Sequence, residues 1–225
     1  FNRLQTTRTL LADSKDKPSG DLRVTAPVGL GSTWLTPRLP NFQQLYPDIT
    51  VDLILTDVQI DIAMREADCG IWLSEPSQKE LIRRPLFTVH LHAYASPSYI
   101  KEMGSPNTID ELNGHRLITF GGAPHLPSSE MNWVANSTRE RGIDAKTVLK
   151  VDNIYGLLEA ARAGIGIAVL PDYIVNDDNQ FVVVMENTDL PELSSYFVFS
   201  EELRGSKRLT VFRDFVVAQA RLWKF

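Results

Sequence analysis

The chain has 225 residues, 43% of them hydrophobic and 23% charged, which suits an ordinary globular protein of one large domain or two small ones. Basic residues number 23 against 28 acidic, a formal charge of −5, and this argues against a surface that grips nucleic acid unaided, because phosphate contacts need clustered Lys and Arg. The single cysteine, Cys69, excludes an internal disulfide, reads as a small core residue in its apolar stretch, and fits a reducing cytoplasm.

No run approaches the ~20 apolar residues of a membrane span. The start, Phe1-Asn2-Arg3-Leu4-Gln5, is not a signal peptide and has no initiator Met, so the chain reads as a fragment or a processed form; a cleaved signal would leave a similar trace. Phe1, Leu4, Arg8 and Leu11 have coiled-coil-like spacing and predict the end of a helix over 1–13. The polar stretch from Asp13 to Gly20, with Pro18, predicts a linker or a frayed terminus.

After Gly20, strands and helices alternate. Leu22–Thr25 predicts a strand, and Gly29-Leu30-Gly31-Ser32-Thr33 a turn with helix-capping residues. Leu35, Leu39, Phe42 and Tyr46 share one helical face, although Pro37 and Pro40 interrupt it. Thr50–Leu55 is a β-branched strand, Asp57 can cap a short helix to Glu66, and Cys69–Leu73, Leu81–Phe87 and Val89–Ser96 are further strands. A short helix is expected over Asn107–Asn113 and a strand over Arg116–Phe120. Residues 121–143 read as loop-rich, anchored by Trp133. Thr147–Val151 predicts a strand, and Ile154, Leu157, Leu158 and Ala161 a helix stopped at Gly164. Ile165–Leu170, Phe181–Met185 and Ser195–Phe199 predict strands. A final helix runs from about 206 to 223, with Leu209, Phe212, Val216, Ala220 and Trp223 on one face. The alternation and the continuous Val/Ile/Leu runs predict an α/β fold with mostly parallel sheet.

Gly29-Leu30-Gly31 follows a strand and opens a helix, but the third glycine of a dinucleotide fingerprint is replaced by Trp34, so no nucleotide is expected. The turn could still hold an anion or a polar group on its backbone N–H groups. Ligands of open α/β sheets sit at the carboxyl ends of strands, which marks Thr56-Asp57 and Asp152-Asn153. His90 and His92 share a strand face, yet neither His115 nor His125 stands at a ligand spacing, so they read as polar residues on a half-exposed strand. No metal site, cofactor or catalytic constellation is expected: there is no G-x-S-x-G elbow, and Ser32 has no paired His motif.

Five segments, in this order, resemble the effector-binding domain of LysR-type transcriptional regulators. They are Gly20–Val24, Leu35–Ile49, Ala67–Trp72, Ala95–Tyr99 and Ala160–Pro171, the last holding Arg162-Ala163-Gly164-Ile165-Gly166. The resemblance implies a type 2 periplasmic-binding-protein-like α/β fold of two Rossmann-like lobes joined by two crossover strands, at about 89–96 and 195–199. It implies a linker-helix end over 1–20, a first lobe over 21–90 and 200–225, and a second lobe with the crossovers over 91–199. It also implies an upstream winged helix-turn-helix module that binds promoter DNA and is missing from this sequence, a homodimer or homotetramer, and cytoplasmic location. Dimers would pair the helix at 33–46 with the partner's helix at 153–163. The effector would lie between the lobes, touching Ala26, Pro27, Val28, Gly29, Leu30, Thr56, Asp57, Trp72, Phe120, Asp152 and Asn153, with the crossovers as hinge. Trp72 departs from the family, since many members carry arginine there. With Asp57 and Asp152 it favours a neutral or partly cationic effector with an apolar ring over a dicarboxylate; alternatively Trp72 only fills the core. The competing reading is a secreted solute-binding protein of the same fold, which needs an export signal; an enzyme on this architecture would need catalytic residues that are not seen.

Overall fold

The computed structural model describes residues 17–224 apart from 59, 63, 77–79, 122–127 and 176–178. The expected helix at 1–13, His125 and the first half of the linker stretch lie outside them. The chain forms two compact units: residues up to Phe87 together with Ser194–Lys224, and Thr88–Leu193.

Unit 1 is built on a five-stranded sheet in the order β2-β1-β3-β10-β4, comprising β1 (Gly20–Ala26), β2 (Ile49–Leu55), β3 (Cys69–Trp72), β4 (Leu81–Val89) and β10 (Leu193–Ser200). β1 pairs in parallel with β2 and β3, while β10 runs antiparallel to β3. All four residues of β3 are buried, as a continuous apolar run covered on both faces should be. Gly70 lets β1 lie close: a Cβ there would stand 2.5 Å from Thr25 Cγ2 and 3.2 Å from the Thr25 carbonyl oxygen. The helix Lys207–Ala220 covers one face through Leu209, Phe212, Phe215, Val216 and Ala220. Phe212 meets Phe42 edge-on at 5.1 Å. Trp223 lies past the end of this helix, half-buried, its ring stacked 3.8 Å from Phe87.

The single amphipathic helix expected around Leu35–Tyr46 is instead a broken helical run. It comprises α-helix Val28–Leu30, π-helix Gly31–Leu35, 3-10 helix Thr36–Arg38 and α-helix Leu39–Leu45. Pro37 and Pro40 lack the N–H that an unbroken ladder needs. Side chains bond carbonyls in the run: Thr33 Oγ1 to Gly29 O at 2.9 Å, Thr36 Oγ1 to Gly31 O at 2.8 Å and Arg38 Nη1 to Trp34 O at 2.8 Å. The helix expected from Asp57 to Glu66 is also absent among the described residues. Turns replace it: Asp61 Oδ1 accepts from Met64 N at 3.0 Å, and Arg65 sits at φ +63°.

Unit 2 carries a five-stranded sheet in the order β7-β6-β8-β5-β9. Its strands are β5 (Leu91–Ala95), β6 (Arg116–Phe120), β7 (Lys146–Val151), β8 (Ile167–Pro171) and β9 (Val182–Val184). β6 pairs in parallel with β7 and β8, and β5 is antiparallel to β8 and β9. Both sheets are therefore mixed rather than mostly parallel. Gly164, at φ +78°, ends the helix Ile154–Arg162 with a left-handed turn whose N–H bonds Ala161 O at 3.0 Å. The stretch read as loop-rich holds two helices, Ser128–Met131 and Trp133–Glu140. Val134, Ala135, Ser137 and Thr138 are buried there and Trp133 is only half-buried, so the anchor is the small-residue face.

Candidate functional site

The carboxyl ends of the parallel strands gather most of the expected residues within each unit. In unit 1, β1 ends at Ala26, whose carbonyl accepts from Thr56 N at 3.0 Å, joining the ends of β1 and β2. The chain turns at Pro27, and Val28 N donates to Asp57 Oδ1 at 3.0 Å. Thr56 Oγ1 accepts from Val58 N at 3.0 Å, fixing the turn that carries Asp57. Gly31 N closes the first helical turn on Pro27 O at 2.8 Å. A Cβ on Gly31 would fall 3.2 Å from Ala26 Cβ and against the Leu55 side chain. Pro27, Val28, Thr56 and Asp57 are half-buried, so they line this end, whereas Ala26, Gly29 and Leu30 are buried beneath it.

Trp72 closes β3 but turns inward. It is 6% exposed and packs with Ile62, Ala67, Leu81 and Val198. Its Nε1 lies 3.2 Å from where a Cβ on Gly70 would be. A ligand could reach no more than an edge of this ring, so the core role left open by the sequence gains weight.

In unit 2, Phe120 ends β6 and is 7% exposed. The amide of Asn132 grips its backbone twice: Asn132 Oδ1 accepts from Phe120 N at 2.8 Å and Asn132 Nδ2 donates to Phe120 O at 2.7 Å. Gly121 N donates to Val151 O at 2.8 Å, joining the ends of β6 and β7. Asp152 is exposed, and Asn153 caps the following helix, its Oδ1 accepting from Tyr155 N and Gly156 N at 3.0 and 3.2 Å.

Sequence reasoning missed a second cluster at the same end of this sheet. Asp172 follows β8, and its Oδ1 meets His92 Nδ1 at 2.7 Å and accepts from Tyr94 OH at 3.0 Å. Burial, then the Asp172 carboxylate, push the Tyr94 hydroxyl well above the usual tyrosine range, so it stays a donor. The available signal was Asp172 itself, a carboxylate following an apolar strand just as Asp57 does. His90 pairs separately, with Glu192 at 3.4 Å. Among the described residues no group of three or more His, Cys, Asp or Glu could hold a metal. Cys69 is fully buried, and burial raises its thiol well above the usual range. No helix among the described residues is long and apolar enough to cross a membrane.

The model of the LysR substrate binding domain matches residues 15–221. An uncharacterised HTH-type transcriptional regulator of Haemophilus influenzae is 30% identical over 159 residues, covering 69% of this chain and 53% of its own length. An HTH-type transcriptional regulator of Xanthomonas campestris is 26% identical over 220 residues, covering 96% of this chain and 64% of its own length. The chain thus spans about half to two thirds of these relatives. The regulatory domain of CrgA, a LysR-type transcriptional regulator from Neisseria meningitidis, superposes with a TM-score of 0.75 at 22% identity, covering 90% of this chain and all of that one. The relatives lend no support to a secreted solute-binding protein. The chain belongs to the LysR substrate binding domain family.

Proposed function

We propose that this chain is the effector-sensing domain of a LysR-type transcription regulator. The regulator would bind promoter DNA through a helix-turn-helix module outside these residues. The family match over 15–221 carries this reading, and the HTH-type relatives support it. The domain senses a small molecule and is not an enzyme. Ligand contacts come from the end of the first sheet, at Pro27, Val28, Thr56 and Asp57, and from that of the second, at Phe120, Asp152 and Asn153. Ala26, Gly29 and Leu30 shape the floor and Trp72 offers only its edge. The chain works in the cytoplasm as a homodimer or homotetramer, and the segments 1–20, 21–90 with 200–225, and 91–199 serve as linker, first lobe and second lobe.

A thermal-shift screen of the full chain against small metabolites tests the reading, because a ligand that binds only the folded state raises its apparent stability. At a hundred times its dissociation constant a true effector adds about 2.7 kcal/mol, or several degrees in a chain of this length. A library of amino acids, sugars, organic acids, amines and aromatic metabolites that leaves the melting temperature unmoved would count against it. Tight, sequence-specific DNA binding by this chain alone at low salt would contradict the assignment of DNA contact to another module.

A further inference from the structure

The two places where the chain crosses between its units are tied together on the unit 1 side. Phe87, in β4, is the last residue of unit 1 on the outward crossing, and Ser194, in β10, is the first on the return. The two strands are hydrogen-bonded neighbours. At the boundary one side chain adds a clasp. Ser195 is 1% exposed; its Oγ accepts from Phe87 N at 3.0 Å and donates to Phe87 O at 2.6 Å. A single hydroxyl thus serves both main-chain groups of one residue, which holds the outward strand against sliding along the return strand. The Phe87 ring is held as well. Trp223 stacks on it at 3.8 Å with the planes 5° apart, and Trp34, 1% exposed, meets it edge-on at 5.0 Å.

Past this socket the chain is anchored again within unit 2. His90 O accepts from Asp172 N at 3.1 Å, and Leu193 is buried. Between the anchors lie only Thr88 and Val89 on the outward crossing and an exposed Ser194 on the return. β4 stops at Val89, and His90 stands outside any strand. A hinge is a few element-terminal residues that absorb changes in φ and ψ, whereas shear needs packed elements to slide. The Ser195 clasp opposes the second and leaves room for the first.

We propose that Ser195 is a positioning residue that fixes Phe87 in its aromatic socket and so confines bending of the two crossings to Thr88-Val89 and Ser194. β5 and the rest of β10, expected from the sequence to flex, then lie outside the hinge. No ligand is needed for this, so it holds apart from the sensing reading. The full chain tests it with one spin label in each unit, at Lys101→Cys and Asp214→Cys; both positions are exposed, and the buried Cys69 stays unlabelled. Ser195→Ala should broaden the distribution of distances between the labels. Hydrogen exchange separates this from general loosening. In Ser195→Ala the amides of 87–89 and 194–195 should exchange about tenfold faster or more, while β1 and β8 keep their wild-type protection. An unchanged distance distribution, or exchange that stays as it was at 87–89 or rises evenly over both sheets, overturns the proposal. If Ser195→Ala does not fold, Trp223→Leu, which opens one side of the ring socket, decides it by the same two readouts.

Discussion

At the carboxyl end of the first sheet the chain is held by backbone groups and one carboxylate, whereas at the end of the second the amides of two asparagines join a backbone bond between Gly121 and Val151. The first arrangement depends on close approach: Thr56 N reaches Ala26 O, and further along the strands Gly70 lets β1 lie against β3. The second depends on side chains that reach back to the main chain, Asn132 to Phe120 and Asn153 to the start of its helix. Added volume should therefore damage unit 1, and loss of a polar group should damage unit 2.

The largest effect is expected at Trp72, whose ring is part of the unit 1 core. Trp72→Ala should cost about 3–5 kcal/mol in chemical denaturation. A cost below ~1 kcal/mol, the range of surface substitutions, would mean the ring is not core and would restore it as a ligand wall. Gly70→Ala comes next, at about 1–3 kcal/mol, because the new methyl meets both Thr25 Cγ2 and the β1 backbone. A neutral result there would show that β1 can shift and that close packing does not define this end.

In unit 2, Asn132→Ala strands a backbone N–H and a C=O at Phe120, for about 1–3 kcal/mol, and Asn153→Ala removes a helix cap worth ~1 kcal/mol. Asn153→Ser should recover most of the latter. Equal losses in both units on removal of polar groups would erase the contrast between them.

The smallest effect is a pH dependence from His115. Its Nδ1 faces the Tyr99 hydroxyl at 3.1 Å, that hydroxyl accepts from Arg116 N at 2.9 Å, and Arg116 pairs with Glu102. Burial lowers the His115 pKa below its usual value of about 6.5. The unfolded chain then binds the proton more readily, so stability is full above pH ~6.5 and falls as pH drops through the folded value. His115→Gln should flatten this slope between pH 7 and 5 in thermal melts. An unchanged slope would assign it to other groups.

Much of the strand order was legible because it is written locally. Val and Ile runs mark β2 and β8, and the i, i+3, i+4 spacing of Ile154, Leu157 and Leu158 marks their helix. Helix Trp133–Glu140 was hidden because Asn136, Ser137 and Thr138 favour loops in isolation and only tertiary burial makes them a helix face. The broken run from Val28 to Leu45 was signalled by Pro37 and Pro40, but not where the ladder would shift. At the site, the rule that ligands gather at strand ends reached Asp57 and Asn153. It could not reach the contacts that fix the strand ends: Asp57 accepts from Val28 N, 29 residues away, and Phe120 is held by Asn132, 12 residues on. Nor could it tell that Trp72 points into its own unit, since Ile62 and Ala67 come from the β2–β3 connection, Leu81 from β4 and Val198 from β10.

Hydrogen exchange on the full chain, with and without the strongest stabiliser from the metabolite screen, tests the sensing account most directly. Slowed exchange at residues 28–31 and 56–58 of unit 1 and at 120–121 and 152–156 of unit 2 is the predicted result, because amides at a ligand site open less often once it is filled. Protection confined to segments away from these strand ends, such as 97–103 or 207–220, would contradict it.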